Sequence, residues 1–253
     1  MSGWSICLPR SLAVIYLQDS INQNAELARD YLIDGPVDSD TLIVLAHGAG
    51  ANMHHAFMQQ LTQSLVAKGF AVYRFNFLYM QANMLDGKKR PPDRAPKLVQ
   101  HLESVLADIQ HKQQQGELNY KRILLVGKSM GSRMMATLTS SLHQCEMPDA
   151  KAALDSVIGQ VCLGYPFVPI KGGVPRLPPL NESSMPTLVL QGERDKFGLP
   201  EQIASWTFRK GIEFTCIPDG DHSFAPRKSS GSTFDANLVL VVAEIDRFCG
   251  SLS

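Results

Sequence analysis

A single pentapeptide, Gly-Lys-Ser-Met-Gly at residues 127–131, constrains the fold of this 253-residue chain more than any other feature. The residues before it, Arg122–Val126, are apolar after the first and predict a buried strand, whereas Ser132–Leu138 predicts the opening of a helix. A Gly-x-Ser-x-Gly turn between a strand and a helix is typical of a nucleophile elbow, which holds the serine hydroxyl clear of the sheet. The sequence therefore predicts that Ser129 is a nucleophile.

Steric crowding explains why this turn contains two glycines. Gly127 and Gly131 lie two residues before and two after Ser129, where larger side chains would collide across a tight, strained turn. The pentapeptide alone is weak evidence, and the alternative is that Ser129 is a small residue in a structural turn. The prediction therefore depends on the flanking strand and helix, and on partners elsewhere in the chain.

Two further apolar segments lie downstream, and each is followed by a residue with acid–base chemistry. Pro186–Gly192 precedes Asp195, and Glu213–Pro218 precedes His222. A serine hydroxyl becomes a nucleophile when a neutral imidazole takes its proton and a carboxylate fixes the tautomer of that imidazole. The order of serine, acid and histidine along the chain therefore predicts a triad of Ser129, Asp195 and His222.

Alternatives remain open for the acid and for the histidine. Glu193 lies two residues before Asp195 and is a second candidate for the acid. Asp219 and Asp221 are interpreted as turn formers, because aspartate is common in such loops. Taken alone, His222 is also consistent with a partly exposed loop histidine.

Composition narrows the classes of function. The chain carries 24 Lys and Arg against 24 Asp and Glu, so no net positive charge draws it to nucleic acid. No apolar run is long enough to span a bilayer. Ser11–Leu17 is interpreted as a strand rather than a signal peptide, because Asp19 follows it and no cleavage site is evident. Five scattered cysteines without a CxxC pair indicate reduced thiols in a cytoplasmic protein, and they predict neither disulfides nor a metal site.

Apolar and amphipathic segments alternate from Thr41 onward, which predicts an α/β fold: a mainly parallel sheet covered by helices on both faces. No large lid domain is predicted, and residues 1–253 are interpreted as a single domain. The predicted elements are an antiparallel pair within Leu12–Leu32, strands at Thr41–Ala46, Phe70–Phe77 and Val161–Phe167, and helices at Met53–Lys68, Arg94–Gln113 and Thr233–Phe248.

Two irregular stretches, Tyr79–Pro96 and Phe167–Ser184, are expected to shape the substrate site. The first contains a basic run in which Arg90 and Arg94 are candidates to anchor an anionic group of a substrate, since guanidinium forks bind carboxylate or phosphate. This loop follows a strand at the edge where ligands bind in open α/β folds. The alternative is a solvated loop without such a role.

The chain resembles the α/β-hydrolases over nearly its whole length. The resemblance rests on four motifs: His-Gly-Ala-Gly at 47–50, the pentapeptide at 127–131, Gly-Glu-Arg-Asp at 192–195 and Asp-His at 221–222. The lack of a large insertion makes the chain similar to the lidless branch that includes dienelactone hydrolase. That enzyme has cysteine where this chain has Ser129, so the resemblance does not extend to its substrate.

A group of small predicted hydrolases is more similar still. This group shares its domain with a testis-expressed protein and with a subunit of the NSL histone-acetyltransferase complex. The segments that carry the likeness are Ala46–Ala51, Arg74–Phe77 and Arg90–Arg94. The resemblance implies a fold and a triad, and it names no substrate.

The resemblance to the α/β-hydrolases also implies the remaining parts of the site. The family pattern places the acid a few residues past its strand, which favours Asp195 over Glu193. The tetrahedral intermediate of acyl transfer carries a negative oxygen that backbone N–H donors must stabilise. The residue after the nucleophile and a His-Gly-x loop supply them in this family, which points to Met130 and Ala49. An ordinary strand-to-helix loop is the alternative for residues 47–50.

The expected function is that of a cytoplasmic serine hydrolase acting on a small ester or thioester through an acyl-enzyme. Such chemistry needs no metal and no organic cofactor, and it implies a small-molecule substrate with no nucleic-acid or membrane partner. A peptidase or a C–C hydrolase would use the same triad. A binding or scaffold protein that has the fold without the activity is the alternative from another class. The sequence leaves the oligomeric state open.

Overall fold

The computed structural model describes residues 30–252. Most of the antiparallel pair expected within Leu12–Leu32, and the strand expected at Ser11–Leu17, therefore lie outside the described residues. The described residues begin with a strand at Tyr31–Asp34, which runs antiparallel to its neighbour at Val72–Phe75.

Seven strands from the described residues form one sheet. They are β1 (Tyr31–Asp34), β2 (Thr41–Ala46), β3 (Ala71–Phe75), β4 (Arg122–Lys128), β5 (Val157–Leu163), β6 (Thr187–Gly192) and β7 (Ile212–Ile217). Their order across the sheet is β1-β3-β2-β4-β5-β6-β7. All neighbours are parallel except β1 and β3. The mainly parallel sheet that the sequence predicts is thereby confirmed.

Eight α-helices in the described residues connect or follow these strands. They are α1 (Ala56–Ala67), α2 (Leu78–Asp86), α3 (Ala95–Gln114), α4 (Met130–Ser140), α5 (Pro148–Asp155), α6 (Pro178–Glu182), α7 (Pro200–Ala204) and α8 (Phe234–Ser251). A single 3₁₀ turn at Leu142–Gln144 follows α4. None of these helices is long and apolar enough to cross a membrane.

The sheet separates two hydrophobic cores, because successive side chains of a strand point to opposite faces. In β2, Leu42 and Val44 pack into the core under α3, α4 and α5. Ile43 and Leu45 pack into the core under α1 and α8. Both faces of the central strands are therefore covered, which explains why these strands are continuous apolar runs in the sequence.

The structure corrects two predicted elements. The stretch Tyr79–Pro96, expected to be irregular, begins with α2, which buries only Tyr79, Met80 and Gln81 and so lacks the apolar spacing of a one-faced helix. The strand expected at Val161–Phe167 instead begins at Val157 and ends at Leu163.

Two local features explain why β5 begins and ends earlier in the chain than expected. At the middle of β5, directly before the expected start at Val161, the buried Gln160 interrupts the apolar pattern, and its Nε2 donates to Thr187 Oγ1 at 3.0 Å inside the core. At its end, Gly164 adopts a φ of 60°, which turns the chain out of the sheet before Tyr165. The following stretch to Ser184 holds only the five-residue α6, so no lid domain lies within it.

Candidate active site

A strained turn forms where β4 ends and α4 begins. Ser129 stands between them with φ 52° and ψ −112°, and a positive φ is uncommon for a residue other than glycine. The Ser129 N–H donates to the Leu163 carbonyl at 2.9 Å, which ties the turn to β5. A strained backbone of this kind persists only where the surrounding contacts hold it in place, and such residues are concentrated at functional sites.

The glycines on either side of Ser129 have no room for a side chain. A Cβ on Gly127 would lie 2.3 Å from the backbone nitrogen of Ser132. A Cβ on Gly131 would lie 2.7 Å from the carbonyl oxygen of Ala46 at the end of β2. Both contacts are with backbone, which cannot move aside, so the tight turn depends on glycine at both positions.

Three side chains from three loops meet at the carboxyl edge of the sheet. His222 Nδ1 donates to Asp195 Oδ2 at 2.8 Å, and Ser129 Oγ donates to His222 Nε2 at 2.8 Å. The carboxylate can only accept, which places the imidazole proton on Nδ1 and the free lone pair on Nε2. His222 therefore faces the serine with the nitrogen that can take its proton.

The two candidate acids have separate environments. Asp195 is fully buried, and besides His222 it accepts hydrogen bonds from Gln191 Nε2 at 2.8 Å and from the Phe197 N–H at 2.9 Å. Glu193 instead accepts from the Asp219 N–H at 2.6 Å, in the loop after β7. The structure thus brings Asp195, and not Glu193, against the imidazole.

The loop that carries His222 is held by its own aspartates. Asp221 Oδ1 accepts from the Ser223 N–H at 2.8 Å and from the Ala225 N–H at 3.0 Å. Asp219 has a φ of 48° and pairs with Arg227, whose Nε lies 2.7 Å from its carboxylate. Both side chains therefore act within the turn, which is the role that their loop position suggested.

A second loop packs against the nucleophile from β2. Gly48 approaches so closely that a Cβ on it would lie 3.5 Å from the Cβ of Ser129. The Tyr79 hydroxyl donates to the Ala49 carbonyl at 2.9 Å and so holds that peptide unit. On the other side, Met130 is the first residue of α4, where helical N–H groups have no intrahelical acceptor. Ala49 thus lines the same cavity as Ser129, and Met130 directly follows the nucleophile in the chain.

Buried His47 connects this loop to the sheet. Its Nδ1 donates to the Gly48 carbonyl at 2.7 Å, and its Nε2 accepts from the Phe77 N–H at 3.0 Å. Burial lowers the pKa of His47 from its ordinary 6.5 to about 4. The imidazole is therefore neutral at pH 7 and serves as a fixed structural link.

His47 is expected to make the protein less stable as the pH falls from 6.5 to 4. In this window the unfolded chain binds a proton that the folded chain does not, which costs about 3 kcal/mol of the free energy of unfolding. Burial also lowers the pKa of His101, so the test compares urea unfolding of wild type and His47→Gln at pH 7 and pH 4.5. The variant should lose less stability than wild type between the two pH values. An equal loss in both proteins would contradict the expectation.

A cavity of about 310 Å³ opens beside Ser129 and His222. The Phe197 ring lies on its wall, with its centroid 4.5 Å from that of the His222 ring. The wall also includes Ala49, His55, Phe57, Met58 and Lys128.

Another cavity, of about 350 Å³, lies beside β7 between Ile203, Trp206 and Phe214. It is apolar and contains no triad residue, so its size does not mark it as the reaction site. Among residues 30–252, no group of three His, Cys, Asp or Glu side chains is arranged to hold a metal ion.

The basic loop carries the two arginines that the sequence suggests as substrate anchors. The guanidinium of Arg90 pairs with the carboxylate of Asp86, and its N–H groups also contact Asn83. Arg94 is the residue before the first turn of α3. Neither arginine is among the residues that line the cavity, so their role as substrate anchors stays a prediction.

Sequence reasoning missed Lys128, which directly precedes the nucleophile. Its side chain is 7% exposed, and Nζ donates to the carbonyl of His222. Burial lowers the pKa of Lys128 to about 8, and the nearby carboxylates of Asp195 and Asp221 offset part of that effect. The available signal was a lysine at the end of an otherwise apolar strand.

Comparisons with known proteins identify the family and the fold. A model of a family described as alpha/beta hydrolase domain matches residues 39–250. Dienelactone hydrolase from Anabaena variabilis is similar in structure, with a TM-score of 0.61 and 16% identity over 86% of this chain and 90% of that chain. A serine hydrolase without a lid from Xanthomonas campestris has a TM-score of 0.58 and 17% identity, over 87% of this chain and 88% of that one.

A third similar structure is Est1E from Butyrivibrio proteoclasticus with ferulic acid bound. Its TM-score is 0.58 and its identity 13%, over 88% of this chain and 94% of that chain. At these identities the likeness concerns the fold. No curated protein matches the sequence.

Proposed function

The chain belongs to the α/β-hydrolase family, and from that premise we propose that it is a serine hydrolase that cleaves a small ester or thioester. The observation that carries the proposal is the unbroken chain of hydrogen bonds from Ser129 through His222 to Asp195, with 2.8 Å at each step. In this geometry a nucleophile touches its base, and the base touches the group that orients it.

In the proposed first half-reaction, Ser129 Oγ attacks the acyl carbon while its proton passes to His222 Nε2. The imidazolium that forms is stabilised by the buried carboxylate of Asp195. The N–H groups of Ala49 and Met130 stabilise the negative oxygen of the tetrahedral intermediate. His222 then protonates the departing alcohol or thiol, which leaves an ester on Ser129.

In the second half-reaction a water molecule takes the place of the leaving group. His222 takes a proton from this water as it attacks the acyl carbon, and returns the proton to Ser129 Oγ when the acid departs. No described residue needs to move far, because the same imidazole nitrogen serves both steps. The cycle ends with the free enzyme and a carboxylic acid.

The size of the substrate is suggested by the cavity. A volume of about 310 Å³ lies at the lower end of the range for small-molecule sites, roughly 300–1,000 Å³. Phe57 and Met58 supply an apolar wall, which suits a short acyl chain or a single aromatic ring. Hydrolysis of small esters also fits what similar proteins are named for: a dienelactone hydrolase, and an esterase domain from Rhodothermus marinus.

A panel of p-nitrophenyl esters and matching acyl thioesters tests the proposal. We expect an initial burst of p-nitrophenol equal to the enzyme concentration where deacylation is slower than acylation, and faster turnover of acetate and butyrate than of dodecanoate. Absence of turnover across the panel in a folded protein would instead favour a binding or scaffold protein with this fold.

A further inference from the structure

The lysine of the elbow occupies an unusual place for a charged side chain. Lys128 is the last residue of β4, and its ammonium group has no salt-bridge partner within 4 Å among the described residues. Nζ lies 5.8 Å from the centre of the Phe57 ring and 5.7 Å from that of the Phe224 ring. Ring faces attract a cation weakly, so they offset only part of the cost of burying the charge.

The one hydrogen bond that the structure gives to this ammonium group ends on the histidine loop, at the carbonyl oxygen of His222. The Lys128 ammonium group, the His222 carbonyl and the Asp195 carboxylate all lie close to Gly164. A Cβ on this glycine would lie 3.1 Å from Lys128 Nζ, 3.1 Å from the His222 carbonyl oxygen and 3.3 Å from Asp195 Oδ2. The positive charge therefore lies beside the acid–base pair and is bonded to the backbone of the base.

The rest of the histidine loop is secured from the other side of the molecule. Asn237 of α8 donates to the carbonyls of Pro218 and Phe224 at 3.0 and 2.8 Å. Phe224 itself has a φ of 66°, a left-handed conformation that a bulky residue rarely adopts. The loop is thus strained and held at its ends, while Lys128 holds its centre at His222.

We propose that Lys128 is a positioning residue for the reaction described above: its ammonium group anchors the carbonyl of His222 and keeps the imidazole in reach of Ser129. The inference rests on the proposed function, because it concerns the same base and nucleophile. A placement error of 1 Å at a reacting group costs roughly 100-fold in rate, so a single anchor at this carbonyl is enough to matter.

The test compares Lys128→Met with a matched control, Lys228→Met, which changes an exposed lysine six residues after His222. The rate of labelling by a fluorophosphonate is measured from pH 5 to pH 9. We expect Lys128→Met to be labelled roughly 10- to 100-fold more slowly, because the imidazole is no longer held in place. The control should match wild type. A wild-type labelling rate in Lys128→Met would overturn the proposal, and so would a lower Tm with an unchanged labelling rate.

Two further measurements keep the test decisive. If Lys128→Met does not fold, Lys128→Leu replaces it, since the leucine side chain also lacks an N–H donor, and a wild-type labelling rate would again overturn the proposal. Histidine ring NMR on ¹⁵N-labelled protein needs no activity. The Nδ1 and Nε2 signals of His222 should change in Lys128→Met and not in the control, and unchanged signals would contradict the anchor. Failure of wild type to react with the probe would count against the proposed function alone.

Discussion

Ser129→Ala is expected to lower kcat by a factor on the order of 10⁶ while leaving the fold intact. In wild type, Ser129 Oγ donates its proton to His222 Nε2 at 2.8 Å. Alanine has no such oxygen, so no acyl-enzyme forms. The residual rate reflects the oxyanion donors and substrate binding alone. Steady-state hydrolysis of the best ester from the panel measures the change, with circular dichroism as the check on folding.

A matched control for this change lies one turn along α4. Ser132→Ala removes a hydroxyl of the same kind, whose hydrogen bond goes to the Ser129 carbonyl at 2.6 Å and not to the imidazole. This control should retain most of the wild-type rate. Turnover of Ser129→Ala within tenfold of wild type would contradict the assignment of the nucleophile.

Asp195→Asn is expected to lower kcat by roughly 10⁴-fold, the second largest effect in the site. In wild type, one carboxylate oxygen of Asp195 accepts from the Phe197 N–H, and the other accepts from Gln191 Nε2 and His222 Nδ1. The asparagine oxygen must still accept from Phe197, so its NH₂ group takes the place of the second oxygen. A donor then faces two donors. The imidazole then carries its proton on Nε2, which no longer takes the proton of the serine. The kcat of the variant, measured from pH 6 to pH 9, checks the prediction.

Glu193→Gln provides the control, because the two acids were alternatives in the sequence. Glu193 accepts from the backbone of Asp219, and a glutamine oxygen can accept the same hydrogen bond. This variant should therefore remain active within about a few-fold of wild type. The reverse pattern, an inactive Glu193→Gln and an active Asp195→Asn, would assign the acid to Glu193.

The fold and the proximity of the three triad side chains follow from sequence because both depend on local signals that lie at strand ends. The pentapeptide at 127–131 needs a strand before it and a helix after it, and parallel strands bring their carboxyl ends to one edge of a sheet. Asp195 and His222 each follow such a strand. Chain order alone was then sufficient to propose which residues would meet.

Other features depend on contacts that no local pattern encodes. Gln160 breaks the apolar run of β5, yet it is satisfied by Thr139 and Thr187 from distant parts of the chain. The role of Lys128 depends on the backbone of His222, 94 residues further along the chain. Chain order alone did not separate Glu193 from Asp195, because both acids follow the same strand; the family pattern favoured Asp195, and the contacts of the loop after β7 distinguish the two acids.

The most direct test of the central claim is covalent labelling of wild type with a fluorophosphonate, followed by mass spectrometry of the peptides. An activated serine attacks phosphorus and expels fluoride, so the account predicts a single phosphonyl adduct on Ser129 that is absent from Ser129→Ala and greatly slowed in His222→Ala. A folded wild-type protein that takes up no adduct, or an adduct on another residue that persists in Ser129→Ala, would contradict it.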